Sequence, residues 1–129
     1  MHGTLGRLSD RDTVGFIYCI GDTALADGEI FRDVRRRFGP PRLAVIPIGA
    51  YEPRWFMHTQ HVDPDEAVRI LELCGPHYAL AHHWGCFRLT TEAYDEPPRR
   101  LATALAAAAV DPARFCVQRP GEAFEVPRI

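Results

Sequence analysis

Leu43-Ala-Val-Ile-Pro-Ile48 is an unbroken run of six apolar residues, stopped by Gly49. A strand with one wet face alternates apolar and polar residues. A continuous run of this length instead fits a strand buried on both faces, as in a parallel sheet. Working outward, the same reading holds for Val14 to Ile20 (VGFIYCI) and Tyr78 to His83 (YALAHH), and more weakly for Phe115 to Gln118. The segments between these runs read as helices. From Asp27 to Phe38 the apolar residues Ile30, Phe31, Val34 and Phe38 form a helical stripe, with Arg35, Arg36 and Arg37 in the last turn and Gly39-Pro40 as the stop. Asp63 is an N-cap, Pro64 suits the first turn, and Glu66 completes a capping-box spacing for a helix that runs to Cys74 before Gly75-Pro76. A third helix is expected over about Pro98 to Val110. The order β-α-β-α-β-α-β defines an α/β chain with parallel strands and right-handed crossovers.

The length of 129 residues is that of one domain, and 47% hydrophobic with 25% charged residues is ordinary for a globular chain. All 15 basic residues are Arg, and the formal net charge of −2 argues against a general affinity for nucleic acid. No apolar run approaches a membrane span. Cys19, Cys74, Cys86 and Cys116 form no C-x-x-C pair, which removes support for a cysteine-rich zinc site. Scattered thiols fit a reducing compartment, and Met1-His-Gly-Thr4 does not read as a secretory start, so a cytoplasmic chain is expected.

In open α/β sheets, sites form beyond the carboxyl ends of the strands. Gly21-Asp22-Thr23 follows the first run, Gly49-Ala-Tyr51 the second, and His83-Trp-Gly85 the third. An Asp and a His thus leave two strands at one edge, and both are good zinc ligands and a workable acid/base pair. Each also has an ordinary reading. Asp22 can simply turn the chain. His82 and His83 point to opposite sides of a strand, so one of them can be a satisfied core histidine. His61 can be a loop residue before the Asp63 cap. The loop from Ala50 to His61 carries Tyr51, Trp55, Phe56 and Met57, too many large apolar groups for a solvated loop; it packs under the sheet edge or lines a pocket.

Three stretches together resemble a known family: Gly21-Asp22-Thr23, then Pro47-Ile-Gly-Ala-Tyr-Glu-Pro-Arg-Trp-Phe-Met57, then His83-Trp-Gly-Cys-Phe87. Gln60-His-Val-Asp-Pro-Asp-Glu-Ala-Val68 and Glu96-Pro-Pro98 add to it. They resemble the C-terminal half of metallo-β-lactamase-fold hydrolases, and within them the N-acyl-phosphatidylethanolamine-hydrolysing phospholipase D family. The resemblance implies an αββα sandwich of which residues 1–129 form a single partial domain, with the helices on one face of the sheet. It implies that Asp22 bridges two metal ions, expected to be zinc, and that His83 is the last histidine ligand. It places His61 beside the metals, touching substrate phosphate or a proton in flight, with Tyr51 and Gln60 in the pocket wall. His82 stands where the family carries an aliphatic residue, and Cys86 where it carries Thr.

The family's H-x-H-x-D-H motif belongs to its N-terminal half and does not occur in this sequence. The expectation is therefore a fragment of a binuclear metal hydrolase acting on a phosphodiester of N-acyl-phosphatidylethanolamine-like phospholipids, peripheral at a membrane when complete, with zinc bound weakly or in part. A sugar-phosphate lactonase and a non-catalytic remnant of the same fold are the alternatives. One sheet face is expected to be bare and to take either the missing N-terminal half or a second copy of the chain.

Overall fold

The computed structural model describes residues 4–7, 15–85, 92–93, 95–119 and 121–127. Its sheet contains β1 (Thr4–Arg7), β2 (Phe16–Cys19), β3 (Leu43–Pro47), β4 (Tyr78–His82) and β5 (Phe115–Val117), side by side in that order. The last four are parallel, joined through α1 (Glu29–Phe38), a single turn α2 (Arg54–Met57), α3 (Pro64–Cys74) and α4 (Glu96–Ala107). The expected strand–helix alternation holds from β2 to β5. The chain adds one strand that sequence reading did not find: β1 pairs antiparallel with β2, from Thr4 opposite Cys19 to Arg7 opposite Phe16. The third helix also begins earlier than expected, at Glu96.

The strands follow one another across the sheet without reversal, so right-handed crossovers place every long helix on the same side. The contacts agree: α3 lies between α1 and α4 and touches both. Tyr18, Ala44, Ile46, Ala79 and Phe115 face this layer and are buried with Phe31, Ile70, Leu71 and Leu101. Close packing sets the helix spacing. Gly28 has φ +75°, a conformation that favours glycine, and a Cβ there would lie 2.5 Å from Leu73 Cδ1, so any side chain at this position would push the Leu73 methyl aside. Asp27 serves α1 from one position further out, its carboxylate accepting from the Glu29 N–H at 3.0 Å.

The start of α3 is built as its sequence implies. The Asp63 carboxylate accepts from the Glu66 N–H at 2.8 Å, and the Glu66 carboxylate accepts from the Asp63 N–H at 3.1 Å. Near the amino ends of the strands, the buried guanidinium of Arg42 donates to the Pro127 carbonyl at 2.6 and 2.9 Å and to that of Val126 at 3.2 Å. Among the described residues no helix is long and apolar enough to cross a membrane.

Candidate metal centre

At the carboxyl edge, the turn after β2 carries Asp22 and the residue after β4 is His83. Their side chains meet: His83 Nε2 lies 3.1 Å from Asp22 Oδ1. His83 is in the left-handed region, with φ +61°, which carries its side chain off the strand line. Gly49 makes room for this turn. A Cβ there would sit 2.0 Å from the His83 carbonyl oxygen, closer than any side chain permits. Gly49 also holds the ring, because its carbonyl lies 3.2 Å from His83 Nδ1. A carbonyl only accepts, so Nδ1 carries a proton, and Nε2 is the ring nitrogen turned toward Asp22. An imidazole nitrogen and a carboxylate oxygen, both good metal ligands, thus stand side by side at this edge.

His61 completes the cluster. Its ring stacks on that of His83, centroids 5.3 Å apart and planes 25° from parallel. Asp22, His61 and His83 each offer one ligand atom, and these atoms all lie within 4.8 Å of one another. Burial pushes the His61 imidazole below its ordinary value, Asp22 opposes this, and His83 adds to it. His61 Nδ1 is buried and has no hydrogen-bond partner among the described residues. A carboxylate with two imidazoles, one of them holding an orphaned nitrogen, is a donor set that fits a divalent metal such as zinc.

A scaffold of charged groups holds His61 in place. Arg54, in α2, donates to the Tyr51 carbonyl at 3.2 Å and the His61 carbonyl at 3.0 Å, and pairs with Glu66. The Glu92 carboxylate accepts from the Ala50 N–H at 2.8 Å and the Glu52 N–H at 2.9 Å. Tyr51 is fully buried, and the Arg100 guanidinium sits 5.0 Å above its ring. Burial, then the Glu96 carboxylate, pushes its phenol well above the usual value. Gln60 and His61 instead wall an open cleft of about 490 Å³, together with Asp22, Leu25, Ile30 and Phe31. Of the residues singled out from sequence, Asp22, His61, His83 and Gln60 gather at this edge, while Tyr51 lies within the packing that supports the loop. Cys86 and Phe87 fall outside the described residues. Arg54 and Glu92 were missed; a buried-side Arg in an apolar loop was the available signal for the first, and Glu92 gave none. His82 has a different task from its neighbour: Nε2 lies 2.7 Å from the Ile20 carbonyl, and burial lowers its basicity.

A family model described as "Beta-lactamase superfamily domain" matches residues 5–84. The chain belongs to that superfamily. It is 47% identical over 85 residues to an N-acyl-phosphatidylethanolamine-hydrolyzing phospholipase D of Caenorhabditis elegans, covering 65% of this chain and 24% of the relative. It is 33% identical over 86 residues to the mitochondrial protein of that name from Saccharomyces cerevisiae, covering 66% of this chain and 18% of the relative. Among solved structures it is similar to Igni18, a metallo hydrolase from the archaeon Ignicoccus hospitalis, with TM-score 0.55 and 21% identity, covering 82% of this chain and 38% of the other. This last likeness shows the fold. The chain spans only about a fifth to a quarter of the length of these curated relatives. It is thus a metallo-β-lactamase-fold chain that resembles N-acyl-phosphatidylethanolamine-hydrolysing phospholipases D.

Proposed function

We propose that this chain is a fragment, the C-terminal half of the metallo-β-lactamase domain, of a binuclear, zinc-dependent phosphodiesterase acting on N-acyl-phosphatidylethanolamine-like phospholipids. The observation that carries the reading is the convergence of Asp22, His61 and His83 beside an open cleft, in a chain most of whose length aligns with phospholipases of that name. Asp22 would hold both ions and His83 one. A bound metal ion supplies a water of lowered pKa and a clamp for phosphate oxygens. His61, which borders both the cluster and the cleft, would contact a substrate phosphate. Gln60 extends that wall, and Tyr51 acts indirectly by supporting the loop. The remaining ligands would come from an H-x-H-x-D-H half packed on the sheet face opposite the helices. In its absence a second copy would cover that face. The cytoplasmic assembly would meet the membrane peripherally: Trp55 and Phe56, 79% and 63% exposed on the turn leading into the cleft wall, suit a bilayer interface.

The test has two stages. Alone, the chain should bind zinc weakly, with Asp22→Ala and His83→Ala each weakening it further, and should release nothing from N-acyl-phosphatidylethanolamine vesicles. Mixed with the N-terminal half of the Caenorhabditis elegans relative, it should yield phosphatidic acid and the N-acylethanolamine, followed by mass spectrometry. An assembly that binds two zinc ions yet opens only lactones, or cleaves nothing, overturns the phosphodiesterase reading.

A further inference from the structure

In a parallel pair, a residue that donates to one partner carbonyl accepts, through its own carbonyl, from the partner residue two positions further on. The Ile20 N–H donates to the Val45 carbonyl at 2.9 Å. Its own carbonyl would therefore accept from residue 47. Residue 47 is proline, which has no N–H. The β2–β3 ladder accordingly ends at Cys19 opposite Val45, whereas β3 and β4 stay paired through Pro47 opposite His82, with the Ile48 N–H donating to the His82 carbonyl at 3.0 Å. One rung is missing where Asp22 is about to leave β2.

His82 fills it. Ala79 and Ala81 of β4 face the helix layer, so His82 stands with Leu80 on the other side of the sheet. From there its ring reaches past the β3 position to the Ile20 carbonyl, 2.7 Å from Nε2. A carbonyl only accepts, so Nε2 carries the proton. Ile20 lies two residues before Asp22, and His82 directly precedes His83. This one hydrogen bond thus ties together the two strand ends whose next residues bring Asp22 Oδ1 and His83 Nε2 to 3.1 Å.

We propose that His82 is a positioning residue that supplies the ladder donor Pro47 lacks, and thereby fixes the spacing of Asp22 and His83. The proposal rests on the reading of those two residues as metal ligands. Four variants of the full chain test it: His82→Leu removes the donor, His82→Gln keeps an N–H at similar reach, Pro47→Ala restores the backbone donor, and Pro47→Ala is also combined with His82→Leu. Zinc affinity is read by competition with a chromophoric chelator, and the ring proton by nitrogen–proton NMR tuned to imidazoles. His82→Leu should weaken zinc about tenfold, the usual scale for losing a group that orients a ligand, while His82→Gln stays within about threefold of the parent. In the Pro47→Ala background the loss from His82→Leu should shrink to less than about threefold, because the missing rung has been replaced. Equal losses for Leu and Gln, or a loss from His82→Leu that Pro47→Ala leaves undiminished, overturn the proposal. If the chain binds no zinc, the metal-centre reading fails by itself. The NMR arm still decides the tie: a slowly exchanging proton on His82 Nε2 upholds it, and an Nδ1–H tautomer overturns it, with no variant having to fold.

Discussion

Tyr18, Ala44, Ala79 and Phe115 stand in one cross-strand row under the helices, and all four are buried. The next row, Cys19, Val45, Leu80 and Cys116, points the other way; Cys19 is exposed and the other three are only half-buried. The two rows are similarly apolar. What separates them is connection order: crossovers of a single hand send α1, α3 and α4 to one side. An apolar run without alternation therefore states that both faces need cover, and the topology decides which face this chain covers for itself. The less covered face ends, at the carboxyl edge, in the His82 tie beside the candidate metal centre.

Matched truncations on the two faces give the largest expected effect. Ile46→Ala, in the helix-facing core, should lower the unfolding free energy by about 3 kcal/mol in urea, whereas Leu80→Ala should cost about 1 kcal/mol or less. Equal losses would show that the second face is as well packed as the first. A smaller effect concerns association. The chain should self-associate at micromolar concentration through the second row, and Val45→Thr with Leu80→Gln should weaken that association about tenfold in sedimentation velocity, a change near 1.4 kcal/mol. An unaltered sedimentation profile would move the contact elsewhere. The mildest test leaves the fold untouched. Burial pushes the Cys74 thiol, on the helix side, up to about 12, so it holds its proton at pH 8 and should react with a thiol reagent only after unfolding. Cys19 should react in the native chain, with Cys116 slower because burial raises its thiol as well. Rapid labelling of Cys74 would mean that the helix layer opens readily.

The long elements were legible because their signals are local. The Asp63–Glu66 box and Gly75 mark α3 at both ends, and unbroken apolar runs mark β2 to β4. β1 was not legible: Thr-Leu-Gly-Arg has neither alternation nor an apolar run, and only its partner β2 makes it a strand. α2 is a single turn, too short for periodicity to register. At the site, strand-end logic placed Asp22 and His83 together. The approach of His61 depends on Arg54 and Glu66, a tertiary arrangement that spacing does not encode. The task of His82 was hidden for another reason: it answers a vacancy left by Pro47, 35 positions earlier and on a different strand.

The agreement between sheet order and sequence order also bears on how the chain comes into being. Each new strand lays down beside the one just made, so during synthesis no strand waits for a distant partner, and sheet growth closes only modest loops. The ties that shape the carboxyl edge obey another schedule. His82 reaches Ile20 across 62 positions, and Glu92 reaches Ala50 across 42. The frame thus assembles progressively while its chemistry arrives late, and a chain halted before residue 83 would own a growing sheet with half of its candidate ligand pair still unmade.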